Sequence, residues 1–261
     1  MTILRHELRR NRLALLIWTL AIAGMLLISI IIYPEMRSSM LEAADMFSQM
    51  GDFSAAFGMD KVSFGEYKGY IAVECGNVLG LGGALFAAII GIAALAKEEK
   101  DHTAEFLLTH PVSRGRVVLE KLLSVYIRVL ALNLIVAAVM VGGTYLIGEK
   151  PDAKLFFLLM LAYFLMQIEI ASVCFGISAF VARGELGIGL GFALLMYFLN
   201  IISNLTKDVE WLKYVTPFSF ADGTSIVSSM GIEWKYAAVG LALTVAGVAA
   251  AFVKYCRKDI R

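Results

Sequence analysis

The sequence predicts an all-α fold, a polytopic membrane protein with six transmembrane helices, and three observations carry that prediction. Of 261 residues, 59% are hydrophobic and 17% charged, whereas soluble domains run near half apolar and a quarter charged. The mean hydropathy is +0.77, a surplus that a soluble core of this size has no room to hide. The apolar residues also gather into six runs, five of them close to the ~20 residues that cross ~30 Å of hydrocarbon at ~1.5 Å per residue and one, 155–182, longer and interrupted by Glu169. This composition excludes a secreted disulfide scaffold and a disordered chain. A formal net charge of +1 lacks the basic excess of a nucleic-acid binder. Cys75, Cys174 and Cys256 are too few and too scattered for a disulfide framework or a zinc site, and read as small apolar residues.

In chain order, residues 2–12 come first. Leu4 and Leu8 share one helical face, and Arg5, Arg9 and Arg12 share another. That pattern predicts a helix lying in the inner interface and leading into the first span; the alternative is a basic flank that only sets topology. The spans are expected at about 13–33, 70–96, 117–147, 154–182, 186–206 and 236–254 within a single membrane domain, 1–261. Pro34, Pro111, Pro151 and Pro217 all fall outside the apolar runs, as they should when proline costs a helix interior ~3 kcal/mol. Tyr33, Tyr70, Trp211, Trp234 and Tyr236 stand near span ends, where interfacial aromatics collect. The start reads as a retained first span, because Tyr33-Pro34-Glu35 offers no small-residue cleavage pattern.

Two connections are long. In 34–69, Met36, Met40, Ala44 and Phe47 recur at helical spacing. An interfacial helix packed as a lid is the expectation, since 36 residues are too few for a separate core. The connection 207–235 holds Trp211, Pro217, Phe218, Phe220 and Trp234 and is apolar for an outer loop. Its part 216–230 is either a short helix or a re-entrant piece whose backbone protein must cover.

Lysine and arginine set the orientation. Fourteen lie in the termini and in the connections after the second and fourth spans, against eight in the other connections. Both termini are therefore expected in the cytoplasm.

Chemistry inside the spans is sparse. None of the three histidines, His6, His102 and His110, falls in a span, so no histidine-based hydrolytic or metal site is expected there. The chain has no Gly-Lys dipeptide and hence no Gly-x-x-x-x-Gly-Lys phosphate loop. Gly76/Gly80 and Gly187/Gly191 have the small-xxx-small spacing of close helix packing. Arg128 and Glu169 are the ionisable residues deep in spans. A central charge costs ~2.5–3.5 kcal/mol on insertion scales, so an ion pair between them is the favoured expectation over a transport-path role. Asn133, Gln167, Asn200 and Asn204 are expected to form interhelical hydrogen bonds.

The connection between the second and third spans is the most informative. It is charged, yet Phe106, Leu107 and Leu108 sit in its middle. Asp101 or Thr103 is placed to cap a short helix, Pro111 ends it, and Ser113 is placed to cap the next. Exposed apolar residues on such a segment point to a docking knob; folding back onto the bundle is the equally open alternative.

These motifs bring a family into view. The stretch 98–121, with Thr103-Ala104-Glu105, Leu107-Leu108, Pro111-Val112-Ser113-Arg114 and Lys121, resembles the cytoplasmic signature of ABC-2-type transporter permeases. Glu7-Leu8-Arg9-Arg10-Asn11 with Trp18 is similar to the start of many such subunits, and Tyr214-Val215-Thr216-Pro217-Phe218 with Asp222 and Gly231 is similar to their last outer loop. His102 departs from the pattern, standing where the family usually has glycine.

The resemblance implies a permease half that pairs with a second permease, identical or related, in the lipid of a bacterial or archaeal plasma membrane. It implies a separate ABC ATPase chain holding ATP and magnesium, with no cofactor, metal or catalytic residue in this chain and no nucleic acid as partner. The segment 98–114 would be a coupling segment seated on the ATPase. Phe106, Leu107 and Leu108 would be its apolar contacts, Thr103 part of its helix, and Glu98, Glu105 and Arg114 its polar contacts. The helix of Arg5, Arg9 and Arg12 would be the elbow helix. Transport would run outward. Competing expectations are a carrier or channel needing no ATPase, and a non-transporting assembly factor.

Overall fold

The computed structural model describes residues 2–49, 54, 62, 65–100, 113–181, 186–205 and 207–257. Every regular element among them is helical. We number the α-helices α1 (Thr2–Arg10), α2 (Arg12–Gln49), α3 (Tyr67–Glu74), α4 (Gly82–Lys100), α5 (Arg114–Leu146), α6 (Ala153–Ser178), α7 (Leu186–Leu205), α8 (Gly223–Ser229) and α9 (Trp234–Arg257). A π-helical stretch, Cys75–Leu81, joins α3 to α4, and a 3-10 stretch, Lys207–Tyr214, follows α7. Among the described residues, six segments are long and apolar enough to cross a membrane: Arg12–Glu42, Tyr67–Ala96, Arg114–Leu146, Ala153–Ser178, Leu186–Leu205 and Trp234–Arg257.

The first span runs past its expected end. Pro34 sits inside α2, which continues to Gln49. Pro34 lies on an exposed face, where the carbonyl freed by its missing N–H is not forced into apolar packing. The helical spacing of Met36, Met40, Ala44 and Phe47 thus belongs to the same helix, α2, as the first span. Other boundaries follow local chemistry. Ser113 caps α5, its Oγ accepting from Arg116 N at 3.4 Å. Asp152 caps α6, accepting from Leu155 N at 3.2 Å. Asp222 caps α8, accepting from Thr224 N at 3.1 Å.

Burial sorts the spans into a centre and a rim. The second span is 61% buried and the fourth 56%, against 28%, 22% and 17% for the first, fifth and sixth. α6 is the hub, packed on α4 and α9. Small residues make this possible: a methyl on Gly91 would lie 2.5 Å from the Ala171 carbonyl, and one on Gly176 2.7 Å from that of Gly247. Gly76 and Gly80 form a ledge against the ring of Tyr163, as their spacing predicts. Gly187 and Gly191 do not pack; they face open space, and Gly189 between them meets Ala88 and Ile92 of α4. The reason is angular, since at ~100° per residue Gly189 points ~200° away from its two neighbours.

The connection 207–235 folds back into the bundle. Thr216 donates from its hydroxyl to the carbonyl of Met196, halfway along α7, at 2.8 Å. Phe218, Phe220 and Ala221 are buried, and the rings of Tyr197 and Phe218 meet edge to face. The sequence left open a short helix or a re-entrant piece. The structure shows the short helix: the turn 215–222 runs beside α7, and α8 then packs on α3 and α6.

Candidate functional site at the amino-terminal end of the bundle

The start of α5 and the ends of α4 and α9 gather at one end of the bundle together with α1. Arg114 donates to the Cys256 carbonyl at 3.5 Å, which sets the carboxy-terminal end of the described chain beside the start of α5.

Helix α1 forms over Thr2–Arg10, and Asn11 breaks it from α2. The Asn11 side chain folds back, donating to the Glu7 carbonyl at 2.9 Å and to Glu7 Oε2 at 3.0 Å. Arg5, Arg9 and Arg12 are exposed, and Leu4 and Leu8 are half-buried, in line with the two faces of the sequence pattern. The opposite side of α1 carries contacts that the sequence did not announce. Glu7 is buried, and its Oε1 lies 3.3 Å from Nζ of Lys121, which is 1% exposed. The same ammonium donates to the carbonyl of Ala94, near the end of α4, at 2.8 Å. One residue earlier, Glu120 Oε2 accepts from the backbone N–H of Leu4 at 3.1 Å, and its Oε1 accepts from Arg116 Nε at 2.9 Å. Leu4 lies in the first turn of α1, whose N–H groups have no partner within the helix, so a carboxylate there is favourable.

Lys121 therefore joins three pieces: the amino-terminal helix, the helix before residues 101–112 and the helix after them. Of the expected coupling residues, Glu98 lies on the last turn of α4 and Arg114 opens α5. Thr103, Glu105, Phe106, Leu107 and Leu108 lie outside the described residues.

The expected Arg128–Glu169 pair does not form. Two hydrogen bonds between α5 and α6 bracket their depth: Tyr126 to Ser172 at 2.7 Å, and Asn133 to Gln167 at 2.7 Å. The two charges thus lie level along the bundle, but on different faces. Gln167 faces α5, and Glu169, ~200° further around α6, faces Gly240 of α9. Arg128 turns back to its own helix, donating to the Ser124 carbonyl at 3.0 Å. Asn133 and Gln167 form an interhelical bond, as expected of both; Asn200 and Asn204 instead line a small cavity of about 60 Å³ with Asn77, Tyr163 and Asp222. Among the described residues no group of His, Cys, Asp or Glu is placed to hold a metal ion.

Residues 1–260 match the family described as ABC-2 family transporter protein. This is a family of membrane subunits without an ATPase domain that bind no cofactor themselves. No curated protein matches the sequence. With six helices long and apolar enough to cross a bilayer and a family match over essentially its whole length, the chain belongs to the ABC-2 transporter family as a multi-pass membrane subunit.

Proposed function

We propose that this chain is the permease half of an ATP-driven exporter, with both termini in the cytoplasm and residues 98–114 as the handle on which a separate ABC ATPase pulls. The observation that carries this reading is the three-way contact at Lys121. It ties Ala94, ahead of the segment, and α5, behind it, to Glu7 of α1. A force on the segment reaches both flanking helices and the amino-terminal helix through one buried ammonium. The second and third spans then move with α1, acting as its elbow in the membrane interface, where exposed Arg5, Arg9 and Arg12 face lipid phosphates.

Phe106, Leu107 and Leu108 supply the apolar contacts with the ATPase and Glu98, Glu105 and Arg114 the polar ones, with Thr103 part of the coupling helix. ATP and magnesium are bound and hydrolysed in that partner. A second permease, identical or related, completes the pathway. Coupling of this kind needs two packings of the bundle, each favoured by a different nucleotide state of the partner.

The test replaces Phe106 and Leu107 together with aspartate in the full chain, co-expressed with its ATPase. Loss of ATPase co-purification and of ATP-driven transport, with helix content and particle size unchanged, is the expected result. Retention of both activities overturns the assignment of this segment.

A further inference from the structure

The carboxyl group of Glu169 has no assigned use. Glu169 is 4% exposed, and its Oε2 is buried without a hydrogen-bond partner. It lies against Gly240, where a Cβ would collide with the carboxylate. The glycine therefore keeps open the notch that the carboxylate occupies. The group lines a cleft of about 410 Å³ between α6 and α9, within the ~300–1,000 Å³ of ordinary small-ligand sites.

The rest of the cleft is apolar and aromatic. Leu165 and Ile168 come from α6, Phe220 from the turn that dips into the bundle, and Trp234 and Leu241 from α9. Trp234 and Leu241 are 60% and 65% exposed, so the cleft opens along the lipid-facing side of these helices rather than into the bundle interior. Arg128, level with Glu169 in the bundle, faces elsewhere and is bonded to Ser124.

An ionised carboxylate without a partner is costly in such surroundings, and an apolar molecule alone does nothing for it. A cation with an apolar body satisfies both parts of the site. Its charge pairs with Glu169, its body displaces lipid from Leu165 and Ile168, and the faces of Phe220 and Trp234 favour positive charge. We propose that the α6–α9 cleft binds an amphiphilic organic cation taken from the membrane, with Glu169 as the charge that selects it. This does not depend on the export reading, because binding is measured with neither ATPase nor nucleotide present.

The experiment uses the full chain in nanodiscs of zwitterionic phosphatidylcholine, with binding to empty discs subtracted. Tetraphenylphosphonium and tetraphenylborate, nearly identical in shape and opposite in charge, are the probes. The expected result is saturable tetraphenylphosphonium binding that weakens at least tenfold in Glu169→Gln, with no saturable tetraphenylborate binding in either protein. Ala238→Trp, which narrows the cleft from its exposed rim and leaves the carboxylate in place, is expected to weaken binding as well and serves if Glu169→Gln does not fold. Equal phosphonium affinity in the parent and either folded variant overturns the proposal. So does an unchanged affinity accompanied by a shift in particle size in Ala238→Trp, which assigns the cleft to contact with a second subunit.

Discussion

Glu7 and Lys121 stand 114 positions apart in the chain and 3.3 Å apart in the fold, both almost wholly buried. Truncating one partner strands the other charge, which for buried pairs costs about 3–5 kcal/mol. Lys121→Met and Glu7→Leu are each expected to lower the midpoint of thermal unfolding sharply. Glu7→Leu with Lys121→Met removes both charges and is expected to recover most of the loss. Unfolding curves for the four proteins in one detergent close the cycle. Additive losses in the double variant would show that the pair is not coupled.

Gly91 and Gly191 separate packing glycines from idle ones. Gly91 has no room for a methyl beside the Ala171 carbonyl, whereas Gly191 has nothing within 4 Å. Gly91→Ala is expected to destabilise the bundle by about 1–3 kcal/mol through overpacking. Gly191→Ala is expected to be neutral or to stabilise by up to about 1 kcal/mol. Thermal unfolding of the two single variants beside the parent decides it, and equal losses would contradict the packing described.

Asn133 and Gln167 form one of the hydrogen bonds that join α5 to α6. Interhelical bonds of this kind are worth about 0.6 kcal/mol and rarely more than about 2. Asn133→Leu is expected to cost an amount in that range, and a second substitution, Gln167→Leu, to add little to it. A double-mutant cycle with a coupling energy indistinguishable from zero would remove the bond from the account of the core.

Asp152, just ahead of the fourth span, ties it to the start of the second at the other end of the bundle. It accepts from Lys68 at 2.7 Å and caps α6. The Lys68 ammonium first, and the Leu155 N–H next, hold its carboxyl below the usual carboxylate range. A lowered native pKa adds stability above the unfolded pKa, and that stability is lost as pH falls through the native value. The parent is therefore expected to unfold at a slightly higher temperature than Asp152→Asn at neutral pH, with the gap closing in acid. A gap that widens as pH falls would reverse the sign of this contribution.

How much of this was legible in the sequence varies with the kind of feature. The six spans were, because hydrocarbon thickness fixes a length of apolar chain. The end of the first was not, because proline is a poor stop where its face of the helix is exposed. The depth of Arg128 and Glu169 was legible, and their directions were not. Position in a run gives height, whereas the pairing of faces depends on how neighbours rotate, and here Gln167 takes the side facing α5. The Lys121 contact left a faint signal. Val117, Lys121 and Val125 recur every four residues on a buried stripe, and a lysine on such a stripe demands a partner. Glu7 is the lone acid before Glu35, but nothing in the sequence says that α1 folds back far enough to meet it. Residues 101–112, which supplied most of the functional expectation, lie outside the described residues.

The contact between Gly176 and Gly247 has a mechanical consequence. Their backbones come near enough that neither helix can roll or slide over the other without first separating. Any cycle that opens and closes this subunit must then carry the fourth and sixth crossings as one rigid plate and take up its strain at looser seams. The thinly packed fifth crossing is one such seam, leaving the cleft at Glu169 to ride along undeformed.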